Sequence, residues 1–171
     1  VRLASSGSLT QQEMGVHYRG SVRGARGSLA AVSVFEKEVM ALYDDGGGER
    51  IIGRFADDTQ GLHVHYREAD LLTTNGSVCG TPDTNVMHDA IEDRHRGMAK
   101  TMRCVHIYWE AANDLFVNKG SVANVTTYLT GLFNQMATLY ANDGVQILLN
   151  EIYVWDVASP YNGTSSGSRL S

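Results

Sequence analysis

Residues 104–156 read CVHIYWEAANDLFVNKGSVANVTTYLTGLFNQMATLYANDGVQILLNEIYVWD, and their hydrophobic period changes twice. Val105, Ile107, Trp109 and Ala111 first alternate with Cys104, His106, Tyr108 and Glu110, the period of two that defines a strand. A loop is expected over ANDLFVNKGS. Val125, Tyr128, Leu129, Leu132, Phe133, Met136, Leu139 and Tyr140 then recur at steps of three and four. That spacing predicts a long amphipathic helix starting between Ser121 and Asn124 and ending at the Asn-Asp-Gly of 142–144. VQILLNEIYVWD is strand again. Its apolar parity shifts between Leu149 and Ile152, which predicts a bulge at Asn150-Glu151. Strand, helix and strand form one βαβ-like unit, whose connection favours a right-handed parallel crossover. Two strands and one helix leave a sheet edge and a sheet face without cover. The unit therefore reads as the opening of a larger α/β domain that the chain does not complete.

The first half has a different texture. Residues 1–14 are rich in Ser and Gln and are expected to be poorly ordered or ordered only against a neighbour. From Gly15 to about Glu68 the pattern is β. GVHYRGSV and SLAAVSVF read as strands, and EVMALYDDGGGERIIGRF as two strands joined by a glycine turn. LHVHYRE places Leu62, Val64 and Tyr66 on one face and His63, His65 and Arg67 on the other. Short strands at this spacing suggest a small β-sandwich or barrel. Residues 73–87 read as loop and 89–100 as a charged linker.

Composition narrows the function classes. The chain has 171 residues, 43% of them hydrophobic and 19% charged, as in globular proteins. A net charge of -5 argues against nucleic acid or an anionic membrane surface as the main partner. No apolar run approaches the ~20 residues a membrane helix needs. Cys79 and Cys104 can form one disulfide or stand as two free thiols.

Few constellations carry chemistry. No His-Glu-x-x-His and no Cys-x-x-Cys is present. His63 and His65 share a strand face and can in geometry bind one metal, but two exposed polar positions on an alternating strand is the favoured reading. His88 and His95 read as a solvated linker, and His106 as a satisfied, partly buried side chain. A thiol nucleophile at Cys79 has no supporting signature. The Asn-x-Ser/Thr pattern at Asn75, Asn124 and Asn162 fits turn and helix-cap chemistry better than glycan attachment.

Two stretches together carry a resemblance. HYRGSVRGARGSLAAVSVFEKEVMALY is similar to the prodomain of adamalysin-type (reprolysin) zinc metalloendopeptidases, which are metzincins. The matching residues are His17, Tyr18, Gly20, Val22, Arg23 and Gly24, then Ser28, Ala31, Val32 and Ser33. VCGT, 78–81, resembles the Cys-Gly at the end of such prodomains. Residues 105–156 look like the first strand, first helix and second strand of the family's catalytic domain, closest to bacterial members. The resemblance spans roughly residues 15–160 in family order.

The resemblance implies an α+β chain. A β-rich prodomain-like region, 1–80, precedes a loop and charged linker, 81–101, and a truncated α/β strand–helix–strand unit, 102–171. It implies a secreted, extracellular zymogen that, once complete, hydrolyses peptide bonds with a zinc-activated water. Cys79 then carries over as the inhibitory zinc ligand, a soft thiolate, with Gly80 letting the backbone pass close by. Arg94 and Arg96 are the candidate processing site. The zinc helix belongs further along the family's domain, so zinc is expected only in the complete parent and this chain alone is expected to be inactive. Its implied partners are the rest of its own catalytic domain and a peptide or protein substrate, with no nucleic acid and no membrane span. Two departures stand out: His106 occupies the place of a calcium-ligating glutamate of animal relatives, and Ala112 that of an aspartate. The alternative expectation is a non-catalytic, secreted, β-rich binding module.

Overall fold

The computed structural model describes residues 1–11, 14–55, 58–72 and 103–161. The chain is α+β. Among the described residues it has one five-stranded antiparallel sheet, one three-stranded parallel sheet and two α-helices.

The antiparallel sheet is a meander. β2 (Val16–Gly20), β3 (Leu29–Val34), β4 (Val39–Asp44), β5 (Glu49–Arg54) and β6 (His63–Arg67) each pair with the next. The expected glycine turn joins β4 to β5. Gly46 and Gly48 take φ of 93° and 100°, where side chains are strained. Asp44 and Asp45 accept the Gly46 and Gly47 N–H groups, and Asp45 pairs with Arg50. The split of β6 into two faces also holds: Tyr66 lies opposite Ile51, and His65 opposite Ile52. The expected sandwich or barrel does not form among the described residues. β2 and β6 remain separate edges, and a helix covers the face that a second sheet would have taken.

That helix comes from the second half. β7 (Arg103–Ala111) is followed by α1 (Asn113–Lys119), α2 (Val122–Asn142) and β8 (Val145–Val154). The loop expected over 112–121 is a correction: α1 occupies most of it. Leu115 and Phe116 pack against the core, and Gly120, in the left-handed region, ends the helix by donating to the Phe116 carbonyl. Ser121 caps α2 by accepting the Asn124 N–H at 3.1 Å. Gly144, at φ 78°, follows the end of α2. β7 and β8 are parallel, and their register slips so that Asn150 has no partner, the bulge expected from the parity shift.

The parallel sheet has a third member from the opposite end of the chain. β1 (Arg2–Leu3) pairs in parallel with Tyr153 and Val154, giving the order β1-β8-β7. The N-terminal segment is thus ordered against a neighbour, and the first half contributes to both sheets.

Helix α2 packs against β8 on one side and against β3, β2 and β4 on the other. Its apolar side meets the parallel sheet in two clusters, one around Ala111, Val125, Ile152 and Val154 and one around Phe133, Ala137 and Ile147. Trp109 and Phe133 meet edge to face at 5.8 Å. On the far face of the parallel sheet Tyr108 is 52% and Leu148 41% exposed. Among the described residues, no helix is long and apolar enough to cross a membrane.

Candidate functional site

Cys79, Gly80, Arg94 and Arg96 lie outside the described residues, as do His88, His95, Asn75 and Asn162. Those inside it are each accounted for. His63 Nε2 accepts the Val39 N–H at 2.9 Å, and its Nδ1 lies 2.8 Å from the Gly61 carbonyl. His65 Nε2 lies 2.9 Å from Tyr43 Oη, and the two rings stack. His106 is exposed rather than partly buried, 3.2 Å from Asn150 Oδ1 at the bulge. Cys104 is an exposed free thiol, and its candidate disulfide partner Cys79 lies outside the described residues. Asn124 donates from Nδ2 to the Lys119 carbonyl at 2.7 Å, the helix-cap role expected of it. Among the described residues, no group of three or more His, Cys, Asp or Glu can hold a metal ion. The described residues therefore do not supply a zinc site.

Among the described residues, a buried polar constellation lies at the seam between the antiparallel sheet and α2. Pairing of His17 with Ser33 and of Arg19 with Ala31 puts His17, Arg19, Ala31 and Ser33 on one face of the sheet. Four polar residues of α2, Thr126, Thr130, Asn134 and Thr138, recur every fourth position and are all buried. The three threonines return their hydroxyls to the helix, to the carbonyls of Val122, Thr126 and Asn134 respectively. Asn134 alone crosses the seam. It is 2% exposed, and its Nδ2 donates to the carbonyls of Tyr18 and Val32 and to Ser33 Oγ, each at 3.2 Å. Its Oδ1 accepts from Arg19 Nε at 2.8 Å. Ser33, fully buried, also lies 2.9 Å from His17 Nδ1. Beside them Gly131 leaves room for Met40, whose sulfur a Cβ at 131 would strike.

Residues of the prodomain-like stretch build this geometry from below. Ser28 organises the β2–β3 connection, accepting the Val22 N–H at 2.9 Å and donating to the Ala25 carbonyl at 2.7 Å. Gly15, at φ 70°, lies against the Phe35 ring.

The seam joins the sheet to the helix, and its one hydroxyl–imidazole pair, Ser33 with His17, is spent on that contact, since Ser33 is fully buried and also bonds to Asn134. The perturbed groups lie elsewhere. Asp58 is held below the usual carboxylate range by the Leu62 N–H, and Asp45 by Arg50. Burial pushes Glu49 up, reinforced by Glu68. Burial, with Glu110 adding to it, also raises the Tyr108 hydroxyl. An open groove of about 730 Å³ runs between Phe35–Glu38 and the start of α2, with Arg54, Asp58 and Lys119 on its walls.

Sequence reading passed over Asn134. Its signal was present: a 21-residue helix without one charged side chain, and a polar row at four-residue spacing. A solvated helix face ordinarily carries charge. No family model matches the chain, and no curated protein matches it.

Proposed function

We propose that the chain is the prodomain and the N-terminal part of the catalytic domain of a secreted zinc metalloendopeptidase precursor of the adamalysin or reprolysin kind. One observation supports this reading most. The stretch that resembles a prodomain lays Arg19 and Ser33 against the helix of the stretch that resembles a catalytic domain, and Asn134 bonds to both. An inhibitory prodomain must bind the domain it silences, and here the two stretches meet at a seam with a polar bridge at Asn134 and an apolar contact of Met40 with Gly131. The parallel β7–α2–β8 unit with its bulge, and the exposed Tyr108 and Leu148 on its far face, suit the first part of a larger sheet domain.

In this reading Cys79 is the inhibitory sulfur ligand of a zinc held by the complete parent, and Gly80 its support. Arg94 and Arg96 mark where the linker is cut. The coding sequence beyond Ser171 tests the family. A His-Glu-x-x-His within the next ~150 residues, about a domain's remainder, is the expected result; its absence overturns the proposal. In the complete precursor, Cys79→Ser gives premature peptidase activity. Unchanged latency in that variant removes the switch and leaves the family reading standing.

A further inference from the structure

Val1–Ser5 does not belong to the sheet that the rest of the first half builds. Arg2 and Leu3 lie on the outer edge of β8, and the Ala4 N–H donates to the Val154 carbonyl at 2.9 Å. Leu3 packs against the core cluster of Ala111, Val125, Ile152 and Val154. Arg2 Nε lies 2.9 Å from Glu151 Oε1. Asp156 accepts both the Ser5 N–H, at 2.9 Å, and the Ser5 hydroxyl. The segment also folds back on itself, with the Thr10 N–H donating to the Val1 carbonyl and Gly7 to Leu3. Backbone, apolar and ionic contacts coincide on residues about 150 positions away in sequence.

We infer that the outer edge of β8 is a strand-docking site that Arg2–Leu3 fills. This clip and the Asn134 seam together hold residues 1–72 on residues 103–161 without the peptide linkage between them. Strand addition to an open sheet edge gives main-chain pairing, while side-chain places give selectivity. The edge fits an extended segment with a cation at the Arg2 place, an apolar side chain at the Leu3 place and a donor at the Ser5 place. Two attachments on one body reinforce each other, because one keeps the other at high effective concentration while it reopens. The inference does not rest on the protease reading. Should that reading hold, a cut at Arg94 or Arg96 leaves the first half in place until the clip is stripped.

The experiment inserts a specific protease site between Leu72 and Arg103 of the full chain, cuts it, and follows the fragments by size-exclusion chromatography at low micromolar concentration. The expected result is co-elution. Leu3→Asp and Asp156→Ala are expected each to speed fragment dissociation at least threefold. Both variants are first compared uncut with the wild type by circular dichroism. If Leu3→Asp does not fold, Asp156→Ala, a change at a half-buried position outside the strands, carries the test. Prompt separation of the wild-type fragments overturns the inference, and so does a less than threefold effect of the clip variants that fold.

Discussion

Arg19 and Asn134, 115 positions apart, meet where the antiparallel sheet closes on helix α2, the guanidinium Nε donating to the amide oxygen at 2.8 Å. The same amide donates to two strand carbonyls and a buried serine. A buried polar network of this kind fixes register, because a sliding or rotated sheet leaves its members unpaired.

Asn134→Leu keeps the volume and removes every bond. The Tyr18 and Val32 carbonyls and the buried Ser33 hydroxyl then lose their donor, while the exposed Arg19 turns to water, and stability is expected to fall by about 2 kcal/mol. Urea unfolding measures it. Ala123→Ser, on the exposed side of α2, serves as the comparison and is expected to change stability by no more than about 0.5 kcal/mol.

Gly131 and Met40 are expected to be coupled. Gly131→Val drives a branched side chain into the Met40 thioether, and overpacking of this sort costs about 1–3 kcal/mol. Met40→Ala in the same chain is expected to recover part of the loss. A double-mutant cycle that gives additive effects contradicts the contact.

Gly15→Ala combines two penalties. The position has φ 70°, and the new Cβ meets both the Phe35 ring and the Val34 carbonyl oxygen. Left-handed strain alone costs about 1 kcal/mol. The thermal midpoint is expected to fall, and amide exchange at the β2–β3 pairing to rise.

Asp156 sets a pH dependence. The Ser5 hydroxyl, followed by its N–H, holds the Asp156 carboxyl below its ordinary value. A depressed carboxyl contributes stability above its unfolded value of about 3.9, and that contribution is lost as pH falls through the lower folded value. Wild type is therefore expected to be more stable than Asp156→Asn at pH 7, with the gap closing toward pH 2. A gap that stays constant over that range excludes the assignment.

Residues 14–72 alone are not expected to fold. Ala31 and Ser33, both fully buried, lie on the face that α2 covers, and Met40 reaches Gly131 of that helix. Without α2 this face of the meander is open to water. Amide dispersion by NMR checks the fragment, and a well-dispersed spectrum favours the alternative of an independent β-rich module.

The sequence by itself determined the local elements. Period-two alternation placed the strands, the steps of three and four placed α2, and the parity break between Leu149 and Ile152 located the bulge at Asn150. These signals are local, because each depends on side-chain direction along one strand or helix. α1 escaped notice because seven residues carry too little period to separate a helix from a loop. Only the tertiary structure decided what each face meets. The uncharged Thr126–Thr138 row hints that its face is covered but does not name what covers it, and residues 1–5 look like a loose end until β8 offers an edge. Both contacts join segments more than 100 positions apart. No periodicity records such a pairing, because it is the closing of two sheets on one helix that removes these polar groups from water.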